Sequence, residues 1–145
     1  MPSTKERRFA MKLDLICVRD TLLTLEEWLV LNDDLEFGYL DLSEICKSSA
    51  MIRYSKPTVA YALVLLKEAG FIEAIIDYAS DGICELDVVR LTFQGHQFLD
   101  TIRPQSTWDK IHAVSEKTGL KSLSAIMEIA DILLPETVKD ALRSV

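Results

Sequence analysis

The stretch DLSEICKSSAMIRYSKPTVAYALVLLKEAG (residues 41–70), followed by FIEAIIDYASDGICELDVVRL (residues 71–91), decides the fold. Asp41 and Ser43 stand where a helix needs acceptors for its free amides, and Leu42, Ile45 and Cys46 fall on one inward face of the turns that follow. That helix fades at Ser48-Ser49. Lys56-Pro57 begins the next, because proline fits a first turn in which its missing amide hydrogen has no intrahelical partner. Val59, Ala62, Leu63 and Leu66 share its inner face, and Gly70 supplies a left-handed cap. Beyond the glycine, Phe71 to Tyr78 and Glu85 to Leu91 favour strands, and Ser80-Asp81-Gly82 is a turn between them. Two helices on a short connection with a hairpin behind them are the turn, reader and wing of a winged helix-turn-helix.

Upstream, Leu15, Val18, Leu22, Leu25 and Leu29 recur at three- and four-residue steps beside Trp28, which predicts a first helix in a chain ordered from near Met11. Asn32-Asp33-Asp34 stops it, and a short extended piece, Phe37 to Leu40, leads into the quoted stretch. Downstream, Thr92 caps a helix over Phe93 to Ile102 that halts at Arg103-Pro104. Three more helices are expected over Thr107 to Lys117, Leu123 to Leu134 and Glu136 to Leu142, broken at Gly119 and Pro135. The expected fold is mainly α with a small β-hairpin: a flexible basic arm (1–10), a winged-helix domain (11–103) and a C-terminal helical extension (104–145). No internal repeat or low-complexity stretch interrupts this order.

The strings Arg90-Leu91-Thr92-Phe93-Gln94-Gly95-His96-Gln97-Phe98-Leu99-Asp100 and Leu65-Leu66-Lys67-Glu68-Ala69-Gly70-Phe71-Ile72, with Trp108 downstream, resemble a small bacterial and phage or prophage family catalogued as domain of unknown function 2513. Its members open with a Met-Lys-x-Asp-x-x-Leu-Ile-like segment, matched here by Met11-Lys12-Leu13-Asp14-Leu15-Ile16. The likeness covers roughly residues 11–134. It implies a phage or mobile-element setting and a winged-helix-like core, and it brings no catalytic or ligand residues to carry over. Function has to be argued from the residues themselves.

With 145 residues, 49% of them hydrophobic, the chain can build one core of ordinary size. Sixteen Lys and Arg against 23 Asp and Glu leave a net charge of −7, which excludes a uniformly basic nucleic-acid coat. No apolar run reaches the roughly 18 residues of a membrane span, and no signal-peptide block follows Arg8, so the expected location is cytoplasmic with no membrane partner. Cys17, Cys46 and Cys84 are widely spaced and sit beside isoleucines, which suits buried, reduced thiols.

Charge is unevenly spread. Lys47, Arg53, Lys56 and Lys67 give the helix-turn-helix the only clear positive excess in the folded part, whereas residues 21–46 and 71–89 carry acids and no Lys or Arg. One reading is therefore a DNA-binding regulator that holds double-stranded DNA through Lys47, Arg53, Lys56, Thr58 and Lys67, with Lys5, Arg7 and Arg8 of the arm entering a minor groove. Against it, the hairpin lacks the cations that a phosphate-gripping wing needs. The reader helix also turns Tyr61, Val64 and Leu65 away from its core face, where base reading calls for Arg, Lys, Asn, Gln or Ser. The second reading is a winged helix repurposed for protein contact, such as a phage factor engaging a host or defence protein through Tyr61, Val64, Leu65 and the acidic hairpin. Burial of these three under the C-terminal helices is the third alternative. The fold favours DNA narrowly, and the residues on the reader face pull toward protein.

His96 and Asp100 lie four apart on a helix, the skeleton of an oriented base, yet no Ser or Cys is spaced as its nucleophile. No Cys-x-x-Cys pair, no His pair one helical turn apart and no glycine-rich phosphate loop is present. A non-catalytic protein without metal or cofactor is expected. In the tail, Trp108, Ile111, Val114, Leu123, Ile126, Ile129, Ala130 and Leu133 make an apolar helical face that needs cover from the domain or from another chain, so a homodimer is expected.

Overall fold

Asp14, rather than Met11, starts the first helix: its side chain accepts a hydrogen bond from the Cys17 amide at 3.0 Å, and α1 runs over Leu15–Trp28. The computed structural model describes residues 10 to 144. After α1 come β1 (Val30–Leu31), β2 (Phe37–Gly38), β3 (Leu40–Asp41), α2 (Leu42–Lys47) and α3 (Lys56–Glu68). The hairpin β4 (Ile72–Ala79) and β5 (Gly82–Leu91) follows, and then α4 (Phe93–Ile102), α5 (Gln105–Thr118) and α6 (Leu123–Ser144). The described chain is thus mainly helical with small antiparallel sheets.

The local signals behave as their chemistry requires. Asp41 accepts from the Glu44 amide at 2.8 Å and Glu44 accepts in return from the Asp41 amide at 3.0 Å, a reciprocal cap that starts α2. Ser55 caps α3 with Pro57 in its first turn, and Gly70 leaves that helix with φ +81°. The expected single strand from Phe37 to Leu40 is instead two. β2 pairs with β1 in a small two-stranded sheet, while β3 joins the edge of the larger hairpin, giving the order β3-β5-β4. Tyr39 is the switch between the sheets.

The break expected at Pro135 does not occur, and α6 continues through it. Proline removes one amide donor and crowds the carbonyl one turn back, here that of Asp131. Both residues are on the exposed side of α6, so water can satisfy that carbonyl, and the Thr137 hydroxyl donates to the Leu133 carbonyl at 3.1 Å in the adjoining turn.

The core is continuous from α1 to α6. Leu22, Leu25, Leu63, Leu66, Val88 and Leu99 are buried at its centre, and Trp108, Ile111, Leu123, Ile126 and Ala130 join it from the C-terminal helices. Each fully buried aliphatic side chain stabilises the fold by about 1.5–3 kcal/mol before entropy is charged against it. Arg19 fastens the tail: its guanidinium donates to the carbonyls of Ile102 (3.0 Å) and Arg103 and lies 5.6 Å from the Trp108 ring centre. Gly95 lets α4 sit on the α3–β4 junction, since a Cβ there would fall 1.9 Å from the Phe71 carbonyl oxygen. Phe71 and Phe98 stack beside it at 4.8 Å. Leu133 is the last α6 side chain packed against the core, and Ile132, Leu134, Val138 and Leu142 are exposed.

Candidate functional site

α2 and α3 follow one another across an eight-residue connection (48–55), and that connection decides which of the nearby cations remain available. Arg53, though exposed, is already paired with a carboxylate. It donates to the Asp20 carboxylate of α1 at 2.6 Å, and Tyr54 donates to the same oxygen at 2.6 Å while its ring lies 4.8 Å from the guanidinium. Burial and the neighbouring Asp20 carboxylate push the Tyr54 hydroxyl well above its ordinary pKa, so it stays a donor, and the cluster ties the connection to α1. Asp20 was invisible to sequence reasoning because it lies on a different helix, 33 residues from its partner.

Lys47, Lys56 and Lys67 are exposed and make no ion pair among the described residues. Thr58 is half-buried, and its hydroxyl shares a 2.8 Å hydrogen bond with that of Ser55 at the start of α3. Lys5, Arg7 and Arg8 lie outside the described residues. Tyr61, Val64 and Leu65 are half-buried rather than forming an open patch, and Val64 and Leu65 pack against the core.

Lys56 and Lys67 are three helical turns apart and therefore occupy the same flank of α3. Lys56 lines a cleft of about 270 Å³ with Asp41, Glu85 and Asp87, and Lys67 lines another with Glu73 and Ile75. Both clefts lie where α3 meets the acids of the three-stranded sheet, whose register explains its charge. Ala74, Leu86 and Val88 point inward and are buried, which sends Glu73, Ile75, Asp77, Glu85 and Asp87 outward. Asp41 is then directly opposite Asp87, and Asp77 directly opposite Glu85. Like charges in such pairs destabilise a sheet. Arg90, the one cation within the three strands themselves, is bonded to Glu73.

Other sequence candidates fare differently. Asp100 accepts from Arg103 at 2.8 Å instead of orienting His96, and His96 is exposed. The expectation of three buried cysteines holds only for Cys17, whose thiol desolvation pushes up to about 12; Cys46 is half-buried and Cys84 exposed. Cys84 is the residue the β4–β5 register skips between the Asp77–Glu85 and Tyr78–Ile83 pairs, so the alternation that buries Leu86 and Val88 is broken there and its thiol is exposed, donating to the Asp77 carbonyl. Among the described residues no group of side chains has the make-up of a metal site, and no helix is long and apolar enough to cross a membrane.

The family model described as hypothetical protein (DUF2513) matches residues 12–121. An uncharacterized protein of Haemophilus influenzae is 37% identical over 84 residues, which cover 57% of this chain and 70% of that protein. No solved structure matches. The matched span runs from the start of the α1 region through α2, α3, the acidic sheet and α5, and so the chain belongs to the DUF2513 family.

Proposed function

We propose that this chain is a non-catalytic winged helix, in a phage or prophage setting, that works by binding another protein rather than by reading duplex DNA. The α2–α3 pair stands as the helix-turn-helix and β3, β4 and β5 as the wing. The observation that carries the reading is the acidic outer face of the wing. Asp41 opposes Asp87 and Asp77 opposes Glu85 beside the start of the reader helix. A duplex docked on that helix would bring its phosphates against these carboxylates. At about 5 Å in surface surroundings, each such like-charge contact costs on the order of 1–3 kcal/mol, and three free lysines do not offset several of them.

The contact surface includes the exposed Ile75, Tyr78 and Ile83 of the wing, apolar residues set among its acids. Such a mixture suits a protein partner with basic rims. The bare half of α6, with Leu134, Val138 and Leu142 on one stripe, supplies a homodimer surface in the same proposal.

The DNA reading retains one observation in its favour, the exposure of Lys47, Lys56 and Lys67 without ion-pair partners among the described residues. Neutralising the wing separates the two. The combined variant Asp41→Asn, Glu85→Gln and Asp87→Asn keeps the cap at residue 41 and removes the repulsion. The proposal expects wild-type protein to leave a labelled random duplex unbound at low salt and the variant to gain weak binding. Tight duplex binding by the wild type, unchanged in the variant, overturns it.

A further inference from the structure

The β1–β2 hairpin carries a leucine where its backbone has no use for one. The Leu35 amide donates to the Asn32 carbonyl at 2.9 Å, and the Asn32 amide donates to the Glu36 carbonyl at 3.0 Å. The Asn32 side chain accepts from the amides of Asp34 and Glu36, both at 2.9 Å. This is a three-residue connection in which a left-handed residue follows a tight turn, and glycine is the usual occupant of that place. Here it is Leu35, with φ +64°. A β-carbon in this conformation is strained, and packing gives nothing back, because the side chain is 76% exposed. Val30, Leu31 and Phe37 beside it are also exposed.

The surroundings say what such a tip can approach. Asp33, Asp34 and Glu36 stand in the loop with Leu35, Glu26 shares a cleft with Val30, Leu31 and Phe37 that also holds His96 and the Glu73-paired Arg90, and residues 21–46 hold no Lys or Arg. Arg103, which reaches Glu26 at 2.6 Å, neutralises that acid and leaves the three of the loop. A duplex or an anionic membrane is repelled by this field. A second copy of the chain is a poor complement too, since Lys56 and Lys67 stand beside acids of the wing.

We infer that the β1–β2 finger is a docking element, with Leu35 as its anchor, for a protein surface that has an aliphatic pocket rimmed by lysines and arginines. The inference rests on the protein-contact reading above and adds a place and a partner chemistry to it. Leu35 inserts into the pocket while the acid fringe pairs with the basic rim, which sets orientation and association rate.

The test uses the full chain, a synthetic amphipathic helical peptide of leucine and lysine, its leucine and glutamate counterpart, and a random duplex. Amide NMR titration with the lysine peptide is expected to shift residues 30–37, salt is expected to weaken binding, and the glutamate peptide is expected to do nothing. Leu35→Gly is expected to weaken lysine-peptide binding about tenfold, a loss of about 1.4 kcal/mol, while the unfolding midpoint stays at or above that of the wild type because the strain is relieved. Loss of binding together with loss of fold in Leu35→Gly overturns the anchor role, as does no binding of the lysine peptide or equal binding of both peptides. Shifts confined to Ile75, Tyr78 and Ile83, with Leu35→Gly binding like the wild type, overturn the finger and leave the protein-contact reading standing. Saturable duplex binding centred on Lys47 and Lys56 overturns both.

Discussion

Replacing Gly95 with alanine sets two effects of opposite sign against each other. On helix propensity alone, alanine in α4 stabilises by about 1 kcal/mol. The structure predicts the reverse, because the new Cβ would lie 1.9 Å from the Phe71 carbonyl oxygen and 2.8 Å from its carbon. An ordinary contact begins near 3.4 Å, so α4 and the α3–β4 junction must separate by about 1.5 Å. Both obstructing atoms are backbone and cannot swing aside as a side chain would. Overpacking against them costs about 3 kcal/mol, at the upper end of the usual range. The separation also strains the hydrogen bond from the Thr92 amide to the Phe71 carbonyl, 3.0 Å long, for roughly another 1 kcal/mol. After the propensity gain, the net loss is about 3 kcal/mol, or a fall of about 6–12 °C in the thermal midpoint of a chain of this size. Thermal and urea unfolding followed by circular dichroism measure it. A Gly95→Ala protein as stable as the wild type, or more so, refutes the close packing of α4 on this junction.

Three further outcomes follow from particular side chains. The Thr24 hydroxyl is the one buried side-chain polar atom without a partner among the described residues, so Thr24→Val is expected to hold or raise stability by up to about 1 kcal/mol in a urea titration; a loss greater than that contradicts the assignment. The Cys17 thiol has its pKa raised from 9.0 to about 12, so the folded state holds a proton that the unfolded state gives up between those values. Stability is therefore expected to decline across that window as pH rises, less steeply in Cys17→Ala, and iodoacetamide at neutral pH should label Cys84 well before Cys17. Ending the chain after Leu134 removes a segment whose side chains are mostly exposed, so at concentrations where both forms are monomeric the midpoint should move by under about 2 °C, while at tens of micromolar light scattering should report a dimer for the full chain and a monomer for the shortened one. A full-length monomer at tens of micromolar removes the dimer.

Features with a local cause were legible in the sequence. The reciprocal cap at Asp41 and Glu44, Pro57 in the first turn of α3, the left-handed Gly70 and the Thr92 cap each follow from residues within three or four positions of one another. What escaped depends on distant partners or on where the core stops. Arg53 reads as a phosphate contact until Asp20 is seen beside it. Cys84 sits at a bulge that no local pattern announces, and Pro135 reads as a break although its side of α6 faces water. The strand from Phe37 to Leu40 divides because two different partners claim its halves. Acid content was countable from composition, but the opposition of Asp41 to Asp87 exists only once β3 has found β5. Leu35 lies in a stretch whose Asn and Asp residues announce a turn, and nothing in its sequence announces a left-handed leucine.

The central claim is that this chain, with its acidic three-stranded sheet, does not hold duplex DNA. Fluorescence anisotropy of a labelled random duplex, titrated with full-length protein across a salt series beginning near 50 mM, tests it most directly. The account predicts a flat trace at every salt concentration up to tens of micromolar protein. Saturable binding at low salt that falls with a logarithmic slope of about −3, as three lysines meeting phosphates would give, contradicts it.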